Sequence, residues 1–255
     1  MSFRIPRGMS KNKQTDDANN SVISVNSLSK AFGARLVLNN IDLEIGRTQS
    51  VFICGVNGAG KSTLLRIIAG LLQPDQGSVQ VCGYNIRKEP EKAKPQVGVI
   101  AHKSMVYPNL TVFENLSFFA SLYGVKNGVA RIEELLEEIG LFSYRYDKAG
   151  ILSRGLLQRL AIARALVHNP AVLLADEPFT GLDAEARQHL VTILASFTDN
   201  GGTLVMTTHD IANSIQYCDR VMVLDRTRLI FDAMTCDIDT ASFAQDYLLY
   251  ARNIN

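Results

Sequence analysis

The sequence predicts an α/β domain with a mainly parallel central sheet and an inserted helical subdomain. Three observations carry the prediction. Short apolar, β-rich runs alternate with helical patterns along the chain. A glycine-rich stretch, GVNGAGKST, joins one such run directly to a helical pattern. Between the early strands and the late ones lies a long middle whose apolar residues recur at helical spacing.

The elements follow in order. Residues 1–20 are polar and poor in branched or aromatic side chains, so they cannot bury enough surface to order themselves and are expected to form a flexible extension. Strand-like alternation begins at Val22–Val25 and returns in Leu36–Leu38 and Ile41–Ile45. Ser50–Cys54 is a short β-rich run ending at Gly55, and a helical pattern from Ser62 to Leu72 is closed by Pro74 and Gly77. Further strands are expected at Ser78–Cys82 and Val97–Ala101. The insert, about 105–168, reads mostly helical: Thr111 with Glu114 three residues on fits a capping box, and Ile132, Leu135, Leu136 and Ile139 have helical spacing. Strands and helices then alternate again at Ala171–Ala175, Ala184–Phe197, Thr203–Thr207, Ile211–Tyr217 and Arg220–Leu224. These bounds give one domain over 21–232 and a tail over 233–255 with room for one amphipathic helix. No internal repeat is present.

Composition narrows the function classes. At 255 residues and 47% hydrophobic content the chain can bury a full core. Its 26 basic and 25 acidic residues nearly cancel, which gives no electrostatic case for nucleic acid as the main ligand. Cys54, Cys82, Cys218 and Cys236 form no metal-ligand spacing and read as scattered reduced thiols. No apolar run approaches the ~20 residues that cross a bilayer, and the first residues lack the pattern of a signal peptide. Any membrane role is therefore expected to come through a partner.

The chemistry concentrates in two places. Gly55, Val56, Asn57, Gly58, Ala59, Gly60, Lys61, Ser62 and Thr63 match G-x-x-x-x-G-K-[ST]. Glycines let backbone N–H groups turn inward around phosphate oxygens, and the helix that follows points its positive end at the same anion. Lys61 adds a point charge and Ser62 a hydroxyl that can ligate Mg²⁺. The second place is AVLLADEP, Ala171 to Pro178, where an apolar strand ends in two acids. In a parallel sheet that edge is where ligands sit. Asp176 can hold the Mg²⁺ shell. Glu177 is expected to point the other way along the strand and to accept a proton from an attacking water.

Together with LSRGLLQR, Leu152 to Arg159, which is similar to the LSGGQ signature, these motifs resemble the ATP-binding subunit of an ABC transporter over roughly 22–231. The resemblance implies a P-loop NTPase fold with an antiparallel β subdomain beside the parallel sheet. It implies ATP and Mg²⁺ as ligands and a head-to-tail dimer, of this chain or with another ABC subunit. Each ATP then lies between the Lys61 loop of one chain and the Ser153 loop of the other. Integral membrane permease subunits on separate chains and a peripheral place on the cytoplasmic face of the membrane are implied as well. Ser153 and Gly155 are the retained signature positions, although the stretch also reads simply as a capped helix; Arg154 and Leu156 depart from the pattern. Phe32 stands where the family stacks an aromatic on adenine, or is an ordinary core or turn phenylalanine. Asp183 matches the loop that couples the two sites and is also a good helix N-cap. His209 resembles the switch histidine near the γ-phosphate. His102 stands where the family normally has a Mg²⁺-contacting glutamine; with LTVFENL downstream it is similar to haem-exporter ATPase subunits of cytochrome c maturation. Another exporter ATPase, for a drug, lipid or polysaccharide, fits the same motifs. So does a soluble ABC-type ATPase such as an iron–sulfur-assembly factor.

Overall fold

A computed structural model describes residues 21–101, 104–208 and 214–252. The chain begins with β1 (Ser21–Phe32) and β2 (Arg35–Gly46), a long hairpin turned through Gly33. β2 alternates as the sequence does: Ile41, Leu43 and Ile45 are buried, Asp42 and Glu44 exposed. β1 is much longer than its predicted four-residue core because irregular register around Ser27, which has φ 49°, interrupts the alternation that marks a strand in sequence. β4 (Gln76–Val81) and the short β5 (Tyr84–Asn85) join this hairpin in an antiparallel sheet ordered β2-β1-β4-β5.

The second sheet has six strands. β3 (Ser50–Cys54), β6 (Val97–Ile100), β7 (Val172–Asp176), β8 (Thr203–Thr207), β9 (Arg220–Asp225) and β10 (Arg228–Met234) lie in the order β10-β9-β3-β8-β7-β6. All neighbours run parallel except β10, which folds back on β9. β3 and β8 are buried at every residue, and that is why they read as continuous apolar runs without alternation. Register aligns the ends that matter: Thr207 pairs with Ile53 on one side and with Asp176 on the other. The exits of β3, β7 and β8 therefore share one edge.

Helices cover the parallel sheet. α1 (Lys61–Ile68) follows β3 and stops earlier than predicted, because Gly70 turns to φ 67° and ends the helix. After the one-turn α2 (Pro90–Ala93) and β6 come α3 (Val112–Leu122), α4 (Gly128–Glu138) and α5 (Arg154–Leu166). Thr111 and Glu114 form the expected capping box, with bonds of 3.1 and 2.8 Å. α6 (Ala184–Asp199) connects β7 to β8, burying Leu190, Ile193 and Leu194. Apolar side chains of β1, β2 and α1 form one core with residues such as Ile53, Val205 and Leu224 from one face of the parallel sheet. Side chains of α3, α4, α5 and α6 form another, which includes Phe52, Leu173 and Leu204 from the opposite face.

The tail carries α7 (Thr240–Arg252), and β10 itself runs past the expected boundary at 232. Phe243, Ala244, Tyr247 and Tyr250 of α7 are buried in the second core beside Phe231, and the Tyr250 hydroxyl donates to Asp225 Oδ2. Cys54 and Cys218 are buried, Cys82 is half-buried and Cys236 is exposed. Among the described residues no helix is long and apolar enough to cross a membrane.

Candidate nucleotide site

The glycine-rich loop occupies the shared edge, between the end of β3 and the start of α1. Gly60 is the N-cap of α1 at φ 107°, a conformation costly for any residue with a β-carbon. A β-carbon at that position would also lie 2.8 Å from Leu38 Cδ2 and 2.9 Å from Val37 O, so the antiparallel sheet presses on the loop from behind. Gly60 offers no side-chain cap, which leaves the first-turn N–H groups of α1 to face the cleft.

That cleft encloses about 520 Å³. Residues 57–63 line it together with Phe32 from the tip of the β1–β2 hairpin and Asp176 and Glu177 from the end of β7. Phe32 is 51% exposed, and Lys30 Nζ lies over its ring, 5.5 Å from the centroid. Arg35 and Val37 line the same wall. Neither was singled out by sequence reasoning; the signal was their place just after the Phe32-Gly33 turn.

Lys61 is buried, and its ammonium donates to the carbonyls of Gly55 at 2.6 Å and Val56 at 3.3 Å. Burial pulls its pKa down, while Glu177, the Cys54 thiol and Asp176 pull it back up. Ser62 Oγ donates to Asp176 Oδ1 at 3.0 Å, and Thr207 Oγ1 donates to the same oxygen at 2.7 Å. A hydroxyl and a carboxylate oxygen so placed are hard ligands of the kind Mg²⁺ takes, with phosphate and water completing its shell. Among the described residues no group of three His, Cys, Asp or Glu is placed to hold a metal ion. Thr207 is a third residue that sequence reasoning did not single out. Its signal was the parallel register, which only pairing reveals.

Glu177 corrects one expectation. Strand alternation would send its side chain away from that of Asp176. β7 instead ends at Asp176, and Glu177 adopts φ 55°, so both carboxylates line the same cleft. Its N–H donates to Thr207 O at 3.0 Å, and Thr180 Oγ1 donates to its Oε2 at 3.4 Å. A carboxylate in this place can take a proton from water at the cleft.

Ser153, Gly155 and Asp183 do not enter this cleft. They line a second one of about 310 Å³, between the start of α5 and the start of α6. Ser153 Oγ accepts from Leu156 N–H at 3.3 Å and caps α5; Asp183 Oδ1 accepts from Ala186 N–H at 2.8 Å and caps α6. Two helix N-termini thus converge on one concavity that shares no lining residue with the first. His102 and His209 lie outside the described residues.

Comparison with known proteins agrees with this geometry. The family described as ABC transporter matches residues 38–180. The linearmycin resistance ATP-binding protein LnrL of Bacillus subtilis is 35% identical over 211 residues, which cover 82% of this chain and 68% of that one. The Nod factor export ATP-binding protein I of Cupriavidus pinatubonensis is 34% identical over 220 residues, 86% of this chain and 68% of that one. Among solved structures, the ATP-binding subunit of an ABC transporter superposes with a TM-score of 0.81 at 28% identity, covering 89% of this chain and 98% of the other. The dimeric post-hydrolysis state of the cassette MJ0796, bound to ADP and Pi, gives 0.76 at 29% identity, with coverage of 83% and 98%.

Proposed function

This chain belongs to the ABC transporter ATP-binding family and hydrolyses ATP, and from that premise we propose that it powers an exporter whose permease is a separate chain. One observation carries the site assignment: Ser62 and Thr207 converge on one oxygen of Asp176 at the mouth of the Lys61 loop. In this reading residues 55–63 wrap the phosphates, the N-terminus of α1 supplies partial positive charge, and Lys61 turns its ammonium from the loop carbonyls to the β- and γ-phosphates. Phe32 offers its exposed ring to the adenine. Ser62 and Asp176 would hold Mg²⁺, with Thr207 fixing the Asp176 rotamer. Bound there, the ion neutralises charge on the phosphates. Glu177 accepts the proton of the attacking water, and the Thr180 hydroxyl holds its carboxylate in line.

The second cleft gives the reason for a dimer. Ser153, Gly155 and Asp183 have capping and phosphate-binding chemistry but sit apart from Lys61, so two chains arranged head to tail would close each first cleft with a second. By the sequence alone, His209 joins the γ-phosphate side and His102 joins Ser62 and Asp176 as a Mg²⁺ contact, in the place of the family's glutamine. A place on the cytoplasmic face of the membrane follows from the permease partnership. The drug-resistance and Nod factor relatives favour another exporter over haem export for cytochrome c biogenesis.

The test is Glu177→Gln. Turnover should fall at least about a hundredfold while ATP binding persists and an ATP-dependent dimer accumulates on size exclusion. Normal turnover in this variant would remove Glu177 from the role of base.

A further inference from the structure

Arg154 stands where the resembling signature has a glycine, and the structure gives that departure a definite geometry. The Arg154 side chain reaches from the first residue of α5 to the loop that follows β7. Its Nη2 donates to Thr180 O at 2.9 Å. Its guanidinium also lies directly against Gly181, whose φ is 72°; a β-carbon there would run into Cζ and both terminal nitrogens. One turn along α5, Gln158 Nε2 donates to Pro178 O at 3.0 Å. The same loop holds Thr180, whose hydroxyl meets Glu177, and ends at Asp183, the cap of α6.

The clefts repeat this connection. Arg154 lines the cleft of Ser153 and Asp183. It also lines a smaller cavity of about 110 Å³, which it shares with Gln158, Thr180 and Glu177. Glu177 in turn lines the Lys61 cleft. Arg154 thus stands where the phosphate-facing end of α5 meets the loop of the base. A planar guanidinium can lie flat on a glycine and hydrogen-bond a carbonyl at once, which neither glycine nor a flexible ammonium reproduces in full.

We propose that Arg154 is a positioning residue for hydrolysis. It ties the start of α5 to the loop from Glu177 to Asp183, so that the base of one cleft and the capping residues of the other move as one body. The proposal rests on the reading of Glu177 as the base. Because Arg154 is exposed, the tie governs the loop and contributes little to global stability.

Two measurements on the full chain test it. The first is amide hydrogen exchange without nucleotide. The N–H groups of Thr180 and Leu182 bond to the carbonyls of Glu177 and Phe179 within the loop. Arg154→Ala should speed their exchange about tenfold while β3 and β8 exchange as before. Unchanged loop exchange overturns the tie, whether or not the chain hydrolyses ATP, so failure here is separable from failure of the ATPase assignment. The second is steady-state ATPase kinetics. Arg154→Ala should lower kcat about tenfold with KM for ATP within about twofold, and Arg154→Lys should recover part of the loss. Gly181→Ala should cost less in the Arg154→Ala background than in the parent, because the strain of a side chain at φ 72° is common to both backgrounds and the clash with the guanidinium is not. A rise in KM at constant kcat would make Arg154 a nucleotide contact and overturn the proposal, as would strictly additive losses.

Discussion

Lys61 shows what a single side chain in this site is required to do. A buried ammonium needs acceptors, and the carbonyls of Gly55 and Val56 supply them when the loop holds no phosphate. Lys61→Ala removes the only full positive charge that the motif places among residues 55–63, so ATP turnover should drop by at least about a hundredfold. A fluorescent ATP analogue should also bind at least about tenfold more weakly, while the thermal midpoint stays within a few degrees. A variant that bound the analogue as the parent does would exclude Lys61 from phosphate recognition. At this scale the sequence was informative wherever a motif fixes the neighbours in advance, as from Gly55 to Thr63. It failed at Glu177, because alternation presumes that a strand continues, and nothing in Ala-Asp-Glu-Pro marks the turn to φ 55°. It failed at Thr207 because a partner across a parallel ladder is invisible until register is known.

Among the elements, the junction of α3, α5 and β6 carries a contact whose chemistry depends on pH. Tyr123, just past the end of α3, stacks on His168, just past the end of α5, with ring centroids 3.9 Å apart and planes at 9°. His168 Nε2 meets Val97 O at 3.3 Å, and Arg164 donates to Val99 O while lying over Phe119. Burial lowers the pKa of His168 to about 4; the Val97 carbonyl opposes this and the Arg164 charge reinforces it. The folded state therefore binds this proton more weakly than the unfolded chain. Its stabilising effect is complete above pH 6.5 and is lost as pH falls from there through 4. His168→Phe keeps a flat ring on Tyr123 without a titrating nitrogen. The fall in urea midpoint between pH 7 and pH 4.5 should be smaller in that variant than in the parent; an equal fall would place the acid sensitivity elsewhere. Sequence periodicity found the neighbouring α4, since Ile132, Leu135 and Leu136 are buried as their spacing demands. It could not find this stack, whose partners lie far apart in the chain and outside any apolar stripe.

Over the whole molecule, α7 closes the second core. A sequence reading sees an amphipathic segment and cannot name what its apolar face meets. Here that face meets the parallel sheet beside β9, and Tyr250 reaches Asp225 at the end of that strand. Removing the hydroxyl in Tyr250→Phe strips a buried carboxylate of a partner and should cost about 1–3 kcal/mol in urea unfolding. A cost below about 0.5 kcal/mol would mean that α7 is held by its apolar face alone. The four thiols divide the molecule in another way. Burial raises the pKa of Cys54, Cys82 and Cys218, that of Cys218 to about 12, whereas Cys236 stands exposed between β10 and α7. A maleimide dye at neutral pH should consequently attach once per native chain, at Cys236, and intact mass should register a single adduct until denaturant releases the rest. With no engineering at all, each chain then carries one spectroscopic ruler mark, and energy transfer between two differently coloured chains would test the proposed head-to-tail dimer as ATP is added and consumed.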